Sequence, residues 1–102
     1  MLPMHQTATF SRVPALDWED VRFFAALARH HTLPATARSL GTTPARVERR
    51  LRSLEAALGQ PLFTRRANGF RLNSAGTAAL AEAAQMEMAA CSLLQRRAAS
   101  VR

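Results

Sequence analysis

The chain has 102 residues and a formal net charge of +7, which fits one compact core and excludes a multidomain enzyme. Hydrophobic residues form 48% of it, but Ala supplies much of that share and Tyr is absent, so Leu, Phe and Val must build a small core. All fourteen basic residues are Arg, a habit that nucleotide bias in coding sequence explains; the excess of fourteen basic over seven acidic residues points instead to an acidic polymer as partner. The apolar runs are too short to span a bilayer, and residues 1–15 lack an apolar stretch ending in a small-residue cleavage site, so a cytoplasmic protein with no membrane partner is expected. Cys91 stands alone, which excludes an intramolecular disulfide and a cysteine-based zinc site.

Residues 1–15 contain Pro3 and Pro14 among Thr, Ser, His and Gln with no sustained period, and are expected to form a flexible leader. Asp17 is suited to cap a first helix, with Asp20 answering it; Val21, Phe24, Leu27 and Ala28 then recur at helical spacing to about His30. Thr32 begins a short second helix with Pro34 in its first turn, Leu33, Ala37 and Leu40 facing inward, and Gly41 as its stop. Thr43 followed by Pro44 starts a third helix, in which Val47, Leu51, Leu54 and Leu58 form one apolar stripe before Gly59 and Pro61 end it. On its opposite face lie Ala45, Arg49, Arg52 and Ala56, with Arg46, Arg50 and Glu48 on the flanks. Two short extended pieces follow, Leu62 to Arg65 and Phe70 to Asn73, with Asn68-Gly69 between them as a hairpin signal. Ser74 is suited to cap a long final helix running to about Ala98. In it Ala79, Ala83, Met86, Ala90 and Leu93 follow a heptad seam, with Leu80, Ala84, Cys91 and Leu94 beside it, the pattern of a paired helix whose broad apolar stripe needs a neighbour.

The charge is not spread evenly. Residues 41–73 hold seven of the fourteen arginines (46, 49, 50, 52, 65, 66 and 71) against Glu48 and Glu55, or +5, whereas the segments on either side carry +1 each. Nucleotide bias would scatter the excess, so the clustering on one helix face and one hairpin marks a binding surface for double-stranded DNA. Helix, short helix, basic helix and basic hairpin in that order describe a mostly α winged helix-turn-helix: three helices and a two-stranded wing over residues 16–73, then a dimerisation helix over 74–99. The third helix would enter the major groove, putting Pro44, Ala45 and Glu48 nearest the base edges, and Thr43 with the free amide groups of the helix end against a phosphate. Arg49 is the candidate reader of guanine, through a bidentate contact to its two acceptors. Arg46, Arg50, Arg65, Arg66 and Arg71 are the expected phosphate contacts. Glu48 either accepts from a cytosine amine or pairs with Arg52 one turn later.

No catalytic constellation, cofactor or metal is expected. Gly41-Thr42-Thr43 lacks the spacing and lysine of a phosphate-cradling loop, Asp17, Glu19 and Asp20 are helix-start acids, and His30 with His31 has no carboxylate or cysteine at ligand spacing.

The segment RLRSLEAALGQPLFTRRANGFRLNSAG, from Arg50 to Gly76, together with Phe24 and Thr32, resembles the amino-terminal DNA-binding domain of LysR-type transcriptional regulators over about Leu16 to Ala98. Its Leu-Glu and Leu-Gly pairs, Leu-Phe-x-Arg and Leu-x-x-Ala-Gly are similar to the family's recognition helix, wing and linker-helix opening. The resemblance implies a homodimer through the C-terminal helix that addresses successive major grooves of a pseudo-palindromic site, with Thr32, where the family usually has Ser, among the DNA-contacting residues. This chain departs from the pattern at Glu48, where Ser is common, at Arg46, often Ala, and at His31 and Thr36, usually Gly and Ala. Family members normally continue into an effector-binding domain, expected to be absent here together with any small-molecule effector; the chain is either a piece of a longer regulator or a natural short protein. A rival reading is a short interaction module that pairs with a full-length regulator through its long helix and modulates it.

Overall fold

The structure, a computed structural model, describes residues 16–101, with side chains to residue 96; the leader expected at 1–15 lies outside the described residues. Among the described residues six elements follow in order: α1 (Trp18–His30), α2 (Leu33–Leu40), α3 (Pro44–Leu58), β1 (Phe63–Arg66), β2 (Gly69–Leu72) and α4 (Ser74–Val101). Together they make a winged helix-turn-helix with a long helix after it.

Local chemistry sets most boundaries. The Asp17 carboxylate accepts from the Glu19 amide, the Thr32 hydroxyl from Ala35 and the Thr43 hydroxyl from Arg46, so each of the first three helices has a side-chain N-cap. Gly41 and Gly59 close α2 and α3 in the left-handed conformation. Helix α1 is closed by His31 at φ 71°, the one described non-glycine residue with positive φ. At the head of α4 the cap is Asn73, not Ser74: its side-chain oxygen accepts from the Gly76 amide at 2.7 Å and its carbonyl from Thr77. Gly76 is required by proximity, since a Cβ there would collide with the Leu62 carbonyl oxygen.

The wing is antiparallel, pairing Phe63 with Leu72, Thr64 with Arg71, Arg65 with Phe70 and Arg66 with Gly69. It is displaced by one residue from the expected strands because Leu62 is drawn into the core and its amide donates to the Glu55 side chain at 2.8 Å. Ala67 and Asn68 form the turn, and Gly69, not the Asn-Gly pair, carries the positive φ. Gly69 passes directly over the His31 carbonyl, which accepts the Phe70 amide, so the hairpin is docked on the end of α1.

The main core joins Val21, Phe24 and Leu27 of α1, Leu51 and Leu54 of α3, Leu62, Phe63 and Phe70 of the wing and Ala83 of α4. Phe63 stacks edge-on with Phe24 (centroids 5.5 Å apart) and with Phe70 (5.7 Å), and each such pair contributes about 0.5–1.5 kcal/mol beyond the area it buries. Phe23, Ala37 and Val47 fasten α2 to α1 and α3. Two apolar assignments differ from expectation. Leu58, at the end of the α3 stripe, is 43% exposed, because α3 stops one turn past the edge of the core. Ala83, expected on a seam between two copies, is 3% exposed within the chain's own core, and Ala79, Leu80 and Met86 pack half-buried against it. The first half of the α4 seam is therefore occupied intramolecularly, and the exposed large apolar residues of α4 lie further on at Met88, Leu93 and Leu94. No helix among the described residues is long and apolar enough to cross a membrane.

Candidate nucleic-acid interface

Burial of Val47, Leu51 and Leu54 turns the opposite side of α3 outward, so that Pro44, Ala45, Arg49, Arg52 and Ala56 are exposed. The amino end of the helix is open. Thr43 is exposed and its hydroxyl is engaged by the Arg46 amide at 3.2 Å, leaving small side chains at the first two helical positions. Thr32 caps α2 in the same manner, and its carbonyl accepts the hydroxyl of the buried Thr36 at 2.7 Å. That hydrogen bond satisfies the polar group which this chain carries in place of the smaller Ala suggested by the resemblance.

The seven arginines of residues 41–73 fall into two groups. Arg46, Arg49, Arg66 and Arg71 make no ion pair with the described residues. Arg50, Arg52 and Arg65 do. Arg50, expected among the phosphate contacts, instead sends one guanidinium nitrogen to Asp17 and Asp20, 3.0 Å from each. Its Nε is buried without a hydrogen-bond partner among the described residues, so the group is inserted between α1 and α3. The hydrogen bond to Asp20 raises the already high pKa of Arg50, with Asp17 adding to it against the cost of desolvation. Asp20 is consequently not the reciprocal partner of the α1 cap; it is buried and serves as the acceptor for Arg50.

Glu48 pairs with Arg52 at 2.9 Å, one turn along α3, and also with Arg65 of β1. The second contact crosses from helix to wing and carries no local sequence signal, since the partners are seventeen residues apart. Pairing in the strand ladder explains it: Arg65 lies opposite Phe70 on the face of the hairpin turned toward α3, whereas Arg66 and Arg71 occupy the alternate face. The Arg65 guanidinium also sits over the Phe70 ring, 4.9 Å from its centroid. Arg65 and, after it, Arg52 hold the Glu48 carboxyl below the usual glutamate range. Glu55, which sequence reasoning counted only as a charge, anchors the wing through the Leu62 amide.

Of the residues expected on a dimer seam, Ala83 is interior, Ala79, Leu80 and Met86 face the core, Ala90 is half-buried, and Leu93 and Leu94 are exposed. Met88 was not on that list and is 72% exposed. Cys91 is a free, exposed thiol.

Residues 18–77 match the family described as "Bacterial regulatory helix-turn-helix protein, lysR family". The HTH-type transcriptional regulator TfdS of Cupriavidus pinatubonensis (strain JMP 134 / LMG 1197) is 37% identical over 86 residues, covering 83% of this chain and 29% of the relative. The HTH-type transcriptional regulator ClcR of Pseudomonas putida is 33% identical over 86 residues, with the same shares of 83% and 29%. This chain thus spans 29% of the length of these curated relatives. Among solved structures, the CbnR_DBD-DNA complex superimposes with a TM-score of 0.78 and 29% identity, covering 85% of this chain and 100% of that one.

Proposed function

The chain belongs to the lysR family of bacterial regulatory helix-turn-helix proteins, and from that premise we propose that it reads double-stranded DNA as part of a transcriptional regulator acting in the cytoplasm. The observation that carries the reading is the open amino end of α3. It presents small exposed residues, Pro44 and Ala45, beside two arginines, Arg46 and Arg49, that the rest of the described chain leaves without an ion pair. Helix α3 enters the major groove and the wing, residues 62–73, lies along the backbone. Arg49 contacts guanine; Thr43, Thr32 and the amide groups at the helix ends meet phosphates, as do Arg46, Arg66 and Arg71. Arg50 is not in this set, because moving it to a phosphate would strand the buried Asp20.

Residues 16–73 form the DNA-reading unit and 74–99 the pairing helix. The exposed Leu93 and Leu94, which flank the continuation of the seam beyond Ala83 and Met86, favour a homodimer joined through the C-terminal half of α4, whereas Met88, two residues after Met86, lies on the opposite side of the helix. The similarity to TfdS, which is named as a transcriptional regulator, and to a CbnR complex with DNA supports the regulatory reading.

Salt titration of duplex binding tests the footprint. Three phosphate-contacting arginines per protomer give six per dimer, and at about −0.9 per phosphate log affinity should fall with log salt at a slope near −5. Counting Arg50 and Arg65 as well would give about −9 on the same scale, and a slope shallower than about −2 would refute the footprint. Selection of bound sequences from a random duplex pool then reports half-site symmetry and spacing. A chain that shifts no duplex at low salt but forms a stable complex with a longer relative would favour the interaction-module reading.

A further inference from the structure

Glu48 is the one acidic side chain at the centre of the basic face, and it touches both halves of that face. Its carboxylate accepts from Arg52, on the exposed side of α3, and from Arg65, on the inner side of the wing. The two arginines are 68% and 56% exposed, so each has a clear path to a phosphate if released. The wing is already docked at its base by the Glu55 side chain and at its tip by the His31 carbonyl. Glu48 adds a third tie on the side facing α3.

We propose that Glu48 is a specificity-determining positioning residue: its carboxylate joins Arg52 to Arg65, sets the wing against the recognition helix, and withholds both guanidinium groups from DNA phosphates. The inference rests on the DNA-binding reading of this face. Phosphate contacts made by Arg raise affinity for every sequence equally, so withholding two of them per protomer lowers non-specific binding while leaving Arg49 and the open helix end to discriminate. A guanidinium bound to a carboxylate must exchange one anion for another to reach a phosphate, so it contributes little net attraction until Glu48 is removed or protonated.

The test compares the wild-type chain, Glu48→Gln, Glu48→Ser and the triple variant Glu48→Gln/Arg52→Gln/Arg65→Gln, with Arg52→Gln/Arg65→Gln as its reference. Each is titrated with a random-sequence duplex across a range of salt, and melting curves verify the fold. The expected result is that both single variants bind the random duplex on the order of tenfold tighter at low salt, their slope steepening from about −5 toward about −9 for a dimer. The preference for a selected sequence over the random duplex should fall accordingly. In the background lacking Arg52 and Arg65, Glu48→Gln should give much less of that gain. An equal gain in both backgrounds would mean that Glu48 acts only as a repelling charge, and would overturn the proposal. So would an unchanged slope accompanied by altered base preference at one position, the behaviour of a residue that reads cytosine. If the wild-type chain binds no duplex, the DNA reading itself fails; if it binds and the Glu48 variants match it, only the role of Glu48 fails.

Discussion

A pair of glutamate substitutions on α4 separates the part of the helix that belongs to the core from the part free to meet a second copy. Ala83 is 3% exposed and sits among Val21, Phe24 and Leu54, lining with them a small cleft to which Leu58 and Met86 also contribute. Ala83→Glu places a carboxyl against these apolar side chains with no described cation beside it. Holding that carboxyl neutral corresponds to a pKa raised by roughly 3 units, or about 4 kcal/mol at neutral pH. That cost, about 4 kcal/mol, approaches the lower end of the roughly 5–15 kcal/mol that keeps a domain folded, and at about 4–8 °C per kcal/mol the melting temperature should fall by some 15 °C or more. Leu94 is 60% exposed within one chain, so Leu94→Glu should change the stability of the monomer by no more than about 0.5 kcal/mol while separating the dimer. Thermal melts with circular dichroism give the first quantity, and sedimentation velocity over a range of concentration gives the second. A folded Ala83→Glu chain that melts like the wild type and sediments as a monomer would refute the core placement. A Leu94→Glu chain that remains a dimer would refute pairing through the C-terminal half of α4.

Three other outcomes follow from local geometry. Gly76→Ala, which in an ordinary helix interior would stabilise by about 1 kcal/mol, should destabilise here because the new Cβ meets the Leu62 carbonyl and a methyl of Leu72; a higher midpoint in urea would contradict the close approach. His31→Gly should raise stability by about 0.5–1 kcal/mol by removing a left-handed strain of about 1–2 kcal/mol less the entropy of glycine, and a lower urea midpoint would contradict it. Because the folded state lowers the Glu48 pKa, the stabilisation it contributes is complete above the unfolded value of about 4.3 and disappears as pH falls through the folded one. A carboxyl titration followed by NMR should therefore place its midpoint below about 4.3, and a midpoint at or above that value would exclude the double arginine contact.

Features governed by neighbours in the chain were legible in the sequence; those governed by distant partners were not. The caps at Asp17, Thr32 and Thr43 and the stops at Gly41 and Gly59 act within one helical turn, and the sequence places them correctly. Asp20 has the spacing of a capping-box residue, yet a charge thirty residues away takes it into the interior. Asn73 displaces Ser74 as a cap because its carboxamide also donates to the Pro61 carbonyl, tying the start of α4 to the entry of the wing. The heptad pattern of α4 registers an apolar face without saying what covers it. Ala83 and Leu93 belong to one periodic series, but only the first lies over α1 and in the core, since α4 runs beyond the rest of the fold. At the candidate site, composition located the basic face, but the Glu48–Arg65 contact required the register of the hairpin.

The same distinction changes the meaning of the +5 charge in residues 41–73. Two of the carboxylates that hold these arginines, Asp17 and Asp20, lie outside that segment, so a count by segment treats Arg50 as available when it is bound. Ion pairing does not remove net charge from the molecule. The field that steers a polyanion toward the protein from beyond a Debye length, about 10 Å at 0.1 M salt, is set by the whole distribution and remains positive. Contacts in the bound state depend instead on individual guanidinium groups, and there Arg46, Arg49, Arg66 and Arg71 are the ones that no described carboxylate holds. Encounter and affinity should consequently respond differently to mutation. Arg50→Gln, which removes a unit charge but no proposed phosphate contact, should slow association at low salt and lower the melting temperature, yet leave the salt slope of affinity near that of the wild type. Arg71→Gln removes the same charge and should flatten that slope by about 2 for a dimer, with little effect on melting. Matching changes of slope in the two variants would show that the acidic residues do not sort the arginines in this way.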